Sequence, residues 1–136
     1  MLVVDAGNLF WKSSLLTDRE RAQAERKAKL IAEAYALMGI DGMVPGEGDL
    51  MLGFDQVRSY AGTWNLPYVA ANLECGPQSY PFDRSRVVER AGIKIGIIGI
   101  LGNNSSNALS SVGCMVTDPV RAAQEAITSL GPVDLV

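Results

Sequence analysis

The side chains that most often perform chemistry are scarce in this sequence. It contains no histidine, the residue that zinc hydrolases, Ser-His-Asp triads and most metal-dependent phosphatases use as a metal ligand or proton carrier. The sequence therefore argues against a self-sufficient enzyme of those classes. Its two cysteines, Cys75 and Cys114, lack the histidine or basic neighbour that would activate a thiol as a nucleophile. We expect a buried thiol or a structural disulfide at these positions.

A glycine series after an apolar run, Gly96, Gly99 and Gly102, is the other pattern that could bind a cofactor. The dinucleotide-binding fingerprint requires Gly-x-Gly-x-x-Gly at the opening of a helix. Here the second glycine of that fingerprint is missing, and the polar residues 103–107 open no amphipathic helix. We interpret the glycines as small residues that allow strands to pack closely.

Length and charge narrow the classes of partner. The chain has 136 residues and a formal net charge of −3, which suits one domain with a hydrophobic core. The basic residues in 19–29 alternate with glutamates, so we expect no nucleic-acid partner. Charge or glycine interrupts every apolar run well before the ~20 residues that span a bilayer, so we expect no membrane partner. The segment after Met1 lacks the basic start of a signal peptide.

Three segments carry helix signals. Residues 17–20 fit a capping box, and Gly39 fits the glycine that ends a helix, so a long helix is predicted between them. Asp49 is predicted to cap a second helix that runs to about residue 63. Asp118 and the proline after it predict a third helix, which runs to residue 130. The apolar side of the first helix consists of Ala24, Ala28, Ile31, Tyr35 and Met38.

Strand signals alternate with the helices. Short apolar runs predict strands over residues 2–5, 40–44, 67–71, 86–90, 93–100 and 133–136. The Ala91-Gly92 pair predicts a hairpin, and two prolines and a glycine predict a loop over residues 73–83. This alternation indicates an α/β fold of mostly parallel strands with one β-hairpin. Because the chain begins and ends on strand signals, we expect residues 1–136 to be a single partial domain that lacks flanking strands at both ends.

Three segments, taken in order, resemble the 5′-nucleotidase branch of the calcineurin-like metallophosphoesterases. Residues 3–8 are similar to the family's strand-loop DAGD, and residues 38–49 to its MGYDAVVPGNHE. Residues 69–73 together with 90–100 are similar to LSANL…VGGVKVGIIGL. The resemblance covers nearly the whole chain. It implies part of the α/β/β/α sandwich of the metallophosphoesterase type.

The resemblance also implies where a metal would bind. The family's last Asp of DAGD bridges two metals, and the Asn of GNHE is a metal ligand; these positions are Asn8 and Glu47 here. The two changes exchange a carboxylate between sites expected to face one metal, so Asn8 and Glu47 are candidate ligands for Mg²⁺, Mn²⁺ or Zn²⁺. Asp49 is a further candidate, although its N-cap role explains it better. The family's neighbouring His, which stabilises charge on the phosphate, is Gly48.

Two functions follow from the resemblance and its departures. The first is a segment of a metal-dependent phosphoester hydrolase of 5′-nucleotidase type, acting on nucleotides or related phosphate esters and inactive as this chain. The second is a degenerate domain that keeps the fold for binding or assembly, which the loss of histidine at Gly48 favours. Uncovered sheet edges would make a homo-oligomer or the missing remainder of the domain the expected partner. The resemblance suggests a periplasmic or extracellular location.

Overall fold

The computed structural model describes residues 1–11, 17–50, 54–76, 82–102, 109–110 and 113–136, with the side chain of Glu47 outside this described part. The elements follow one another as β1 (Val4–Asp5), α1 (Asp18–Met38), β2 (Gly42–Met43), α2 (Glu47–Leu50), α3 (Phe54–Trp64), β3 (Leu73–Cys75), β4 (Ser85–Arg90), β5 (Ile93–Ile98), β6 (Cys114–Val116) and α4 (Pro119–Ser129).

The longest helix, α1, begins and ends where the sequence predicts. The Thr17 hydroxyl accepts a hydrogen bond from the Glu20 amide (3.4 Å), and the Glu20 carboxylate accepts one from the Thr17 amide (2.9 Å), which completes the capping box. Gly39 ends the helix at a φ of 67°, a left-handed conformation that glycine adopts without steric cost. Ala28 and Ala32 are buried. Met38, the last residue of the predicted apolar side, lies in the last turn and is 55% exposed, so it does not join the buried part of that side.

A parallel arrangement of strands is built around β1 and β2. These two strands pair in parallel, and two single parallel bridges continue the arrangement, from Met43 to Tyr68 and from Val69 to Asp83. The strand predicted over residues 67–71 is therefore represented by bridge residues only. Because parallel strands deliver the segments that follow them to the same edge, the loops after β1 and β2 meet.

Two antiparallel pairs complete the strands. β4 and β5 form the predicted hairpin, which turns through Ala91 and Gly92 at φ values of 52° and 78°. The second pair, β3 with β6, places Cys75 opposite Cys114. The loop predicted over residues 73–83 is wrong at its start, because β3 forms there against a strand that is remote in sequence. Such a partner leaves no local signal.

Close packing explains two of the three glycines in the apolar series. A Cβ atom on Gly99 would overlap the carbonyl oxygen of Val69, and one on Gly96 would lie 2.6 Å from the Leu130 side chain. The interpretation of these glycines as residues that allow strands to pack closely is confirmed at Gly99, where the obstructing atom belongs to the backbone of a bridge residue. At Gly96 the close neighbour is instead a side chain at the end of α4. At Gly102 a Cβ atom would meet nothing within 4 Å among the described residues, so they give no packing reason for that glycine.

The hydrophobic core joins the helices to the parallel strands. Its larger cluster includes Ala28 and Ala32 of α1, Val57 and Tyr60 of α3, and Met43 of β2. A smaller cluster packs α4 against β5, through Ala122 and Ala126 on the helix with Ala71, Ile98 and Ile100. Among the helices of the described ranges, none is both long and apolar enough to cross a membrane.

Candidate functional site at the junction of two loops

Asp49 joins the loop after β1 to the loop after β2. It is buried with 0% of its surface exposed, and its carboxylate accepts four backbone hydrogen bonds. Three come from the amides of Asn8, Leu9 and Phe10 at 2.8, 2.8 and 2.9 Å, and the fourth from the amide of Gly46 at 2.9 Å. Each carboxylate oxygen takes two of these donors, so all of its lone pairs are used.

This arrangement replaces the N-cap role predicted for Asp49. The residue lies inside α2 rather than before a helix, and three of its four donors belong to a different loop. Hydrogen bonds to an ionised acceptor contribute more than neutral ones, at about 1.5–3 kcal/mol each. The buried charge of Asp49 is thus stabilised by amides, and the two loops are held at a defined separation.

Asn8 connects the same two loops through its side chain. Its Oδ1 atom accepts a hydrogen bond from the Gly48 amide at 2.7 Å. Its backbone has a φ of 63°, a conformation in which asparagine is enriched among non-glycine residues. A Cβ atom on Gly46 would overlap the Asn8 amide, so the two loops touch through their backbones.

Gly48 lies against the carbonyl group of Trp11. A Cβ atom on Gly48 would lie 2.5 Å from the Trp11 oxygen and 3.2 Å from Asn8 Oδ1. The first distance is well inside van der Waals contact, and the obstructing atom belongs to the backbone. In this conformation the position has no room for a histidine, or for any side chain.

The structure brings the backbones of the three predicted site residues together. Asn8 bonds to the loop of residues 46–49 on one side, and Asp49 bonds back to Asn8 on the other. Glu47 begins α2 between these contacts, and its side chain belongs to the part that is not described. The contacts establish where the loops lie; the metal-binding role of these residues stays a prediction.

Asp5, at the end of β1, is a neighbouring carboxylate that the sequence analysis did not single out. Its Oδ1 accepts a hydrogen bond from the Gly7 amide at 2.7 Å, and its Oδ2 accepts one from the Tyr35 hydroxyl at 3.0 Å. Burial raises the pKa of the Tyr35 phenol, and the hydrogen bond to Asp5 and the charge of that carboxylate raise it further. Asp5 thereby ties the first loop to α1.

The described residues do not fit a two-metal centre. Asp49 has all of its lone pairs on amides, Asp5 accepts from Gly7 and Tyr35, and Asn8 Oδ1 accepts from Gly48. Within the described ranges, no three His, Cys, Asp or Glu side chains form a group that could hold a metal ion. The oxygen atoms that converge here bind the protein's own donors.

Two buried polar atoms near this junction have no hydrogen-bond partner among the described residues. They are Trp11 Nε1 and the hydroxyl oxygen of Tyr68. Burial raises the pKa of Tyr68 strongly, and the charges of Asp49 and Asp5 add to that effect. Sequence analysis missed Tyr68, because its position reads as an ordinary strand residue.

A disulfide and a buried asparagine organise β3 and β6. Cys75 and Cys114 form a disulfide, which is one of the two states expected for these cysteines. Asn72 lies just before the other end of β3. Its Oδ1 atom accepts a hydrogen bond from the Leu101 amide at 2.8 Å, and its Nδ2 atom donates one to the Leu101 carbonyl at 2.9 Å. The Asn72 carbonyl accepts the Thr117 amide at 2.8 Å. The disulfide therefore holds one end of the β3–β6 pair, and the hydrogen bonds of Asn72 hold the other end.

Solved structures with the same fold include a 5′-nucleotidase precursor, a calcineurin-like phosphoesterase and a sulfate thiohydrolase. A 5′-nucleotidase precursor from Thermus thermophilus matches with a TM-score of 0.71 and 24% identity, over 95% of this chain and 25% of that chain. The calcineurin-like phosphoesterase YfkN from Bacillus subtilis matches with a TM-score of 0.70 and 19% identity, over 95% of this chain and 44% of that chain. The sulfate thiohydrolase SoxB from Thermus thermophilus matches with a TM-score of 0.67 and 20% identity, over 95% and 23%.

The chain thus has the fold of part of a calcineurin-like phosphoesterase domain, and the expected α/β class is confirmed. The resemblance to the 5′-nucleotidase branch, predicted from three sequence motifs, is confirmed at the level of the fold. The chain spans between 23% and 44% of the length of the solved structures it matches. No family model matches its sequence, and no curated protein does.

Proposed function

We propose that this chain is a segment of a phosphoester hydrolase of 5′-nucleotidase type, and that it hydrolyses no phosphoester by itself. The fold supports the first half of the proposal, together with the junction of two loops after β1 and β2. The contact between Gly48 and Trp11 supports the second half, and it is the observation on which the proposal depends most.

The physical argument concerns charge in the transition state. Hydrolysis of a phosphate ester needs positioned donors or cations where negative charge develops. The sequence has no histidine, and the backbone at Gly48 leaves no space for a side chain that could replace one. Removal of a single group of this kind costs about 100- to 1,000-fold in rate.

A weakly held cation is the part of the metal prediction that we retain. Asn8 and Glu47 remain the proposed oxygen ligands, for Mg²⁺, Mn²⁺ or Zn²⁺. Asp49 is left out of this proposed set, because its four amide donors use all of its lone pairs. Two ligands from the protein would bind such an ion weakly, since zinc sites supply three or four protein ligands and Mg²⁺ sites with fewer rely on substrate phosphates as well.

The second candidate function is a non-catalytic domain that uses the fold for binding or assembly. The hydrogen bonds of Asp49 and Asn8 favour it, because they turn the loop junction into a structural joint. The two candidates differ in one respect that can be measured. The hydrolase segment retains a cation at Asn8 and Glu47, whereas the non-catalytic domain does not.

The first experiment measures hydrolysis of AMP and of p-nitrophenyl phosphate by the isolated chain, with Mg²⁺, Mn²⁺ or Zn²⁺ present. We expect no turnover above the buffer blank. Turnover that survives repurification, disappears in Glu47→Ala and persists in Glu89→Ala would overturn the proposal. Glu89 is the matched control, because it is an exposed glutamate on β4, away from the junction.

A second experiment separates the two candidates. Mn²⁺ is titrated against the folded chain, and the paramagnetic broadening of backbone NMR signals is measured. Broadening centred on residues 7–9 and 46–49 that is lost in Glu47→Gln but kept in Glu89→Gln supports the hydrolase segment. Broadening that is absent there, or unchanged in Glu47→Gln, supports the non-catalytic domain.

A further inference from the structure

A groove of about 420 Å³ lies between the last turns of α3 and the start of β4. Arg58 and Asn65 line it from the side of the helix, and Asp83 and Arg86 from the side of the strand, with Tyr68 between them. The groove shares no residue with the loop junction of Asn8 and Asp49. Its volume falls within the range of roughly 300–1,000 Å³ that is typical of small-molecule sites.

The two arginines are the notable feature of this groove. Within the described residues, ion pairs join Lys29 to Glu33, Arg90 to Asp41 and Arg121 to Glu125, and none of them uses Arg58 or Arg86. The chain as a whole carries a net charge of −3. Neither guanidinium group has an ion-pair partner in the described part of the chain. The groove therefore carries local positive charge on a molecule whose net charge is negative.

The packing of Arg58 gives its guanidinium a defined position. The central carbon of the group lies 5.7 Å from the centre of the Phe54 ring, within the distance of a cation–π interaction. Phe54 is itself only 6% exposed, so it provides a fixed platform. A cation held in this way loses less side-chain entropy when it binds an anion.

Two features oppose an anion in the groove and set the strength of binding. Asp83 is a carboxylate among the lining residues, and the carboxyl end of α3 carries a partial negative charge of about one half. One carbonyl of that end, in Ala61, already accepts a hydrogen bond from the Leu66 amide at 3.1 Å. Two full positive charges exceed this opposition, so the groove has a net attraction for anions that salt will screen.

We propose that this groove binds a phosphate-bearing small molecule, held between Arg58 of α3 and Arg86 of β4. The planar guanidinium group matches phosphate oxygens in a two-bond arrangement, which a lysine ammonium cannot reproduce. Leu66 and Pro67 add apolar surface beside the arginines, which suits an organic phosphate better than the inorganic ion. This proposal is independent of the proposed hydrolase function, because the groove contains none of the residues proposed for that function, which are Asn8 and Glu47.

The experiment is an NMR titration of the folded chain with pyrophosphate, with AMP and with adenosine at low ionic strength. The variants are Arg58→Gln, Arg86→Gln and the control Arg26→Gln, whose arginine is exposed on α1. We expect saturable shifts around residues 58–68 and 83–86 with pyrophosphate and AMP, and none with adenosine. Affinity should fall about tenfold or more in each groove variant and stay unchanged in Arg26→Gln.

Three results would overturn the proposal. They are the absence of saturable shifts in the groove, equal weakening in all three arginine variants, and binding of adenosine as strong as that of AMP. Because Arg58→Gln also removes the contact with Phe54, its thermal unfolding is compared with that of the original chain. Arg86→Gln lacks this complication and decides the result if Arg58→Gln is unfolded.

Discussion

The carbonyl oxygen of Trp11 occupies the space that a side chain at Gly48 would need. A Cβ atom placed there would lie 2.5 Å from that oxygen. Trp11 belongs to the segment after β1 and Gly48 to α2, which follows β2, and Asp49 binds amides on both sides. The conformation that brings the loops together is therefore the same one that excludes a side chain at position 48.

Substitution of Gly48 by alanine should destabilise the fold. The new methyl group overlaps the backbone oxygen of Trp11, which follows the amides that Asp49 binds, so we expect a loss of about 2–3 kcal/mol in the free energy of unfolding. Gly62→Ala is the control, since a Cβ atom on Gly62 meets no atom of the described residues within 4 Å. In the last turn of α3 this change should stabilise by up to about 1 kcal/mol. Urea unfolding measures both, and a Gly48→Ala variant as stable as the original chain would refute the account of the junction.

Replacement of Asp49 by asparagine should also be costly. An amide side chain offers one oxygen for four amide donors, and its own NH2 group would face two of them. We expect a loss of about 3 kcal/mol or more in the free energy of unfolding. Asp55→Asn, at an exposed position in the first turn of α3, should change stability by less than about 0.5 kcal/mol. Equal effects in the two variants would show that the hydrogen bonds of Asp49 are dispensable.

Reduction of the disulfide alone should lower the free energy of unfolding. Cys75 and Cys114 are 39 residues apart, and a ring of that size restricts the unfolded chain by about 4 kcal/mol at 25 °C. Chemical unfolding with and without a phosphine reductant measures this loss. A Cys75→Ser/Cys114→Ser double variant should unfold like the reduced chain and show no response to the reductant. A response in that variant would mean that the reductant acts elsewhere.

Two tyrosine-to-phenylalanine changes should differ in their effect on the free energy of unfolding. Tyr35→Phe removes the hydrogen bond to Asp5 and should cost about 1 kcal/mol. Tyr68→Phe removes a buried hydroxyl that has no partner among the described residues, so it should be neutral or stabilising by about 1 kcal/mol. Urea unfolding at pH 7 measures both changes, and a large loss in Tyr68→Phe would reveal a partner for that hydroxyl.

The same tyrosines predict a loss of stability at alkaline pH. Burial raises the pKa of both phenols above the ordinary value of 10.0, so the folded state keeps their protons while the unfolded state releases them. The contribution of these phenols to the free energy of unfolding is therefore fully present below pH 10. It falls as the pH rises above 10 towards the raised pKa values of the folded state. Tyr68→Phe should make this decline shallower. Unfolding measured from pH 8 to 12 tests the prediction, and an unchanged slope would contradict it.

Sequence alone determined the elements whose signals lie within a few residues of one another. The ends of α1 follow from Thr17 and Gly39, and the start of α4 from Asp118, whose side chain accepts the Arg121 amide at 2.7 Å. The hairpin of β4 and β5 follows from its two-residue turn. Each of these signals is a hydrogen bond or a backbone angle that forms between near neighbours, so the residues can be read without knowledge of the rest of the fold.

Tertiary structure alone decided the chemistry of the loop junction. Asp49 carries the local signature of an N-cap, yet three of its donors lie 39 to 41 residues away in the chain. The pairing of β3 with β6 and the obstruction at Gly48 depend on similarly distant partners. A carboxylate binds whichever donors the folded chain brings to it, and only the packing of β1 beside β2 brings the amides of Asn8, Leu9 and Phe10 there.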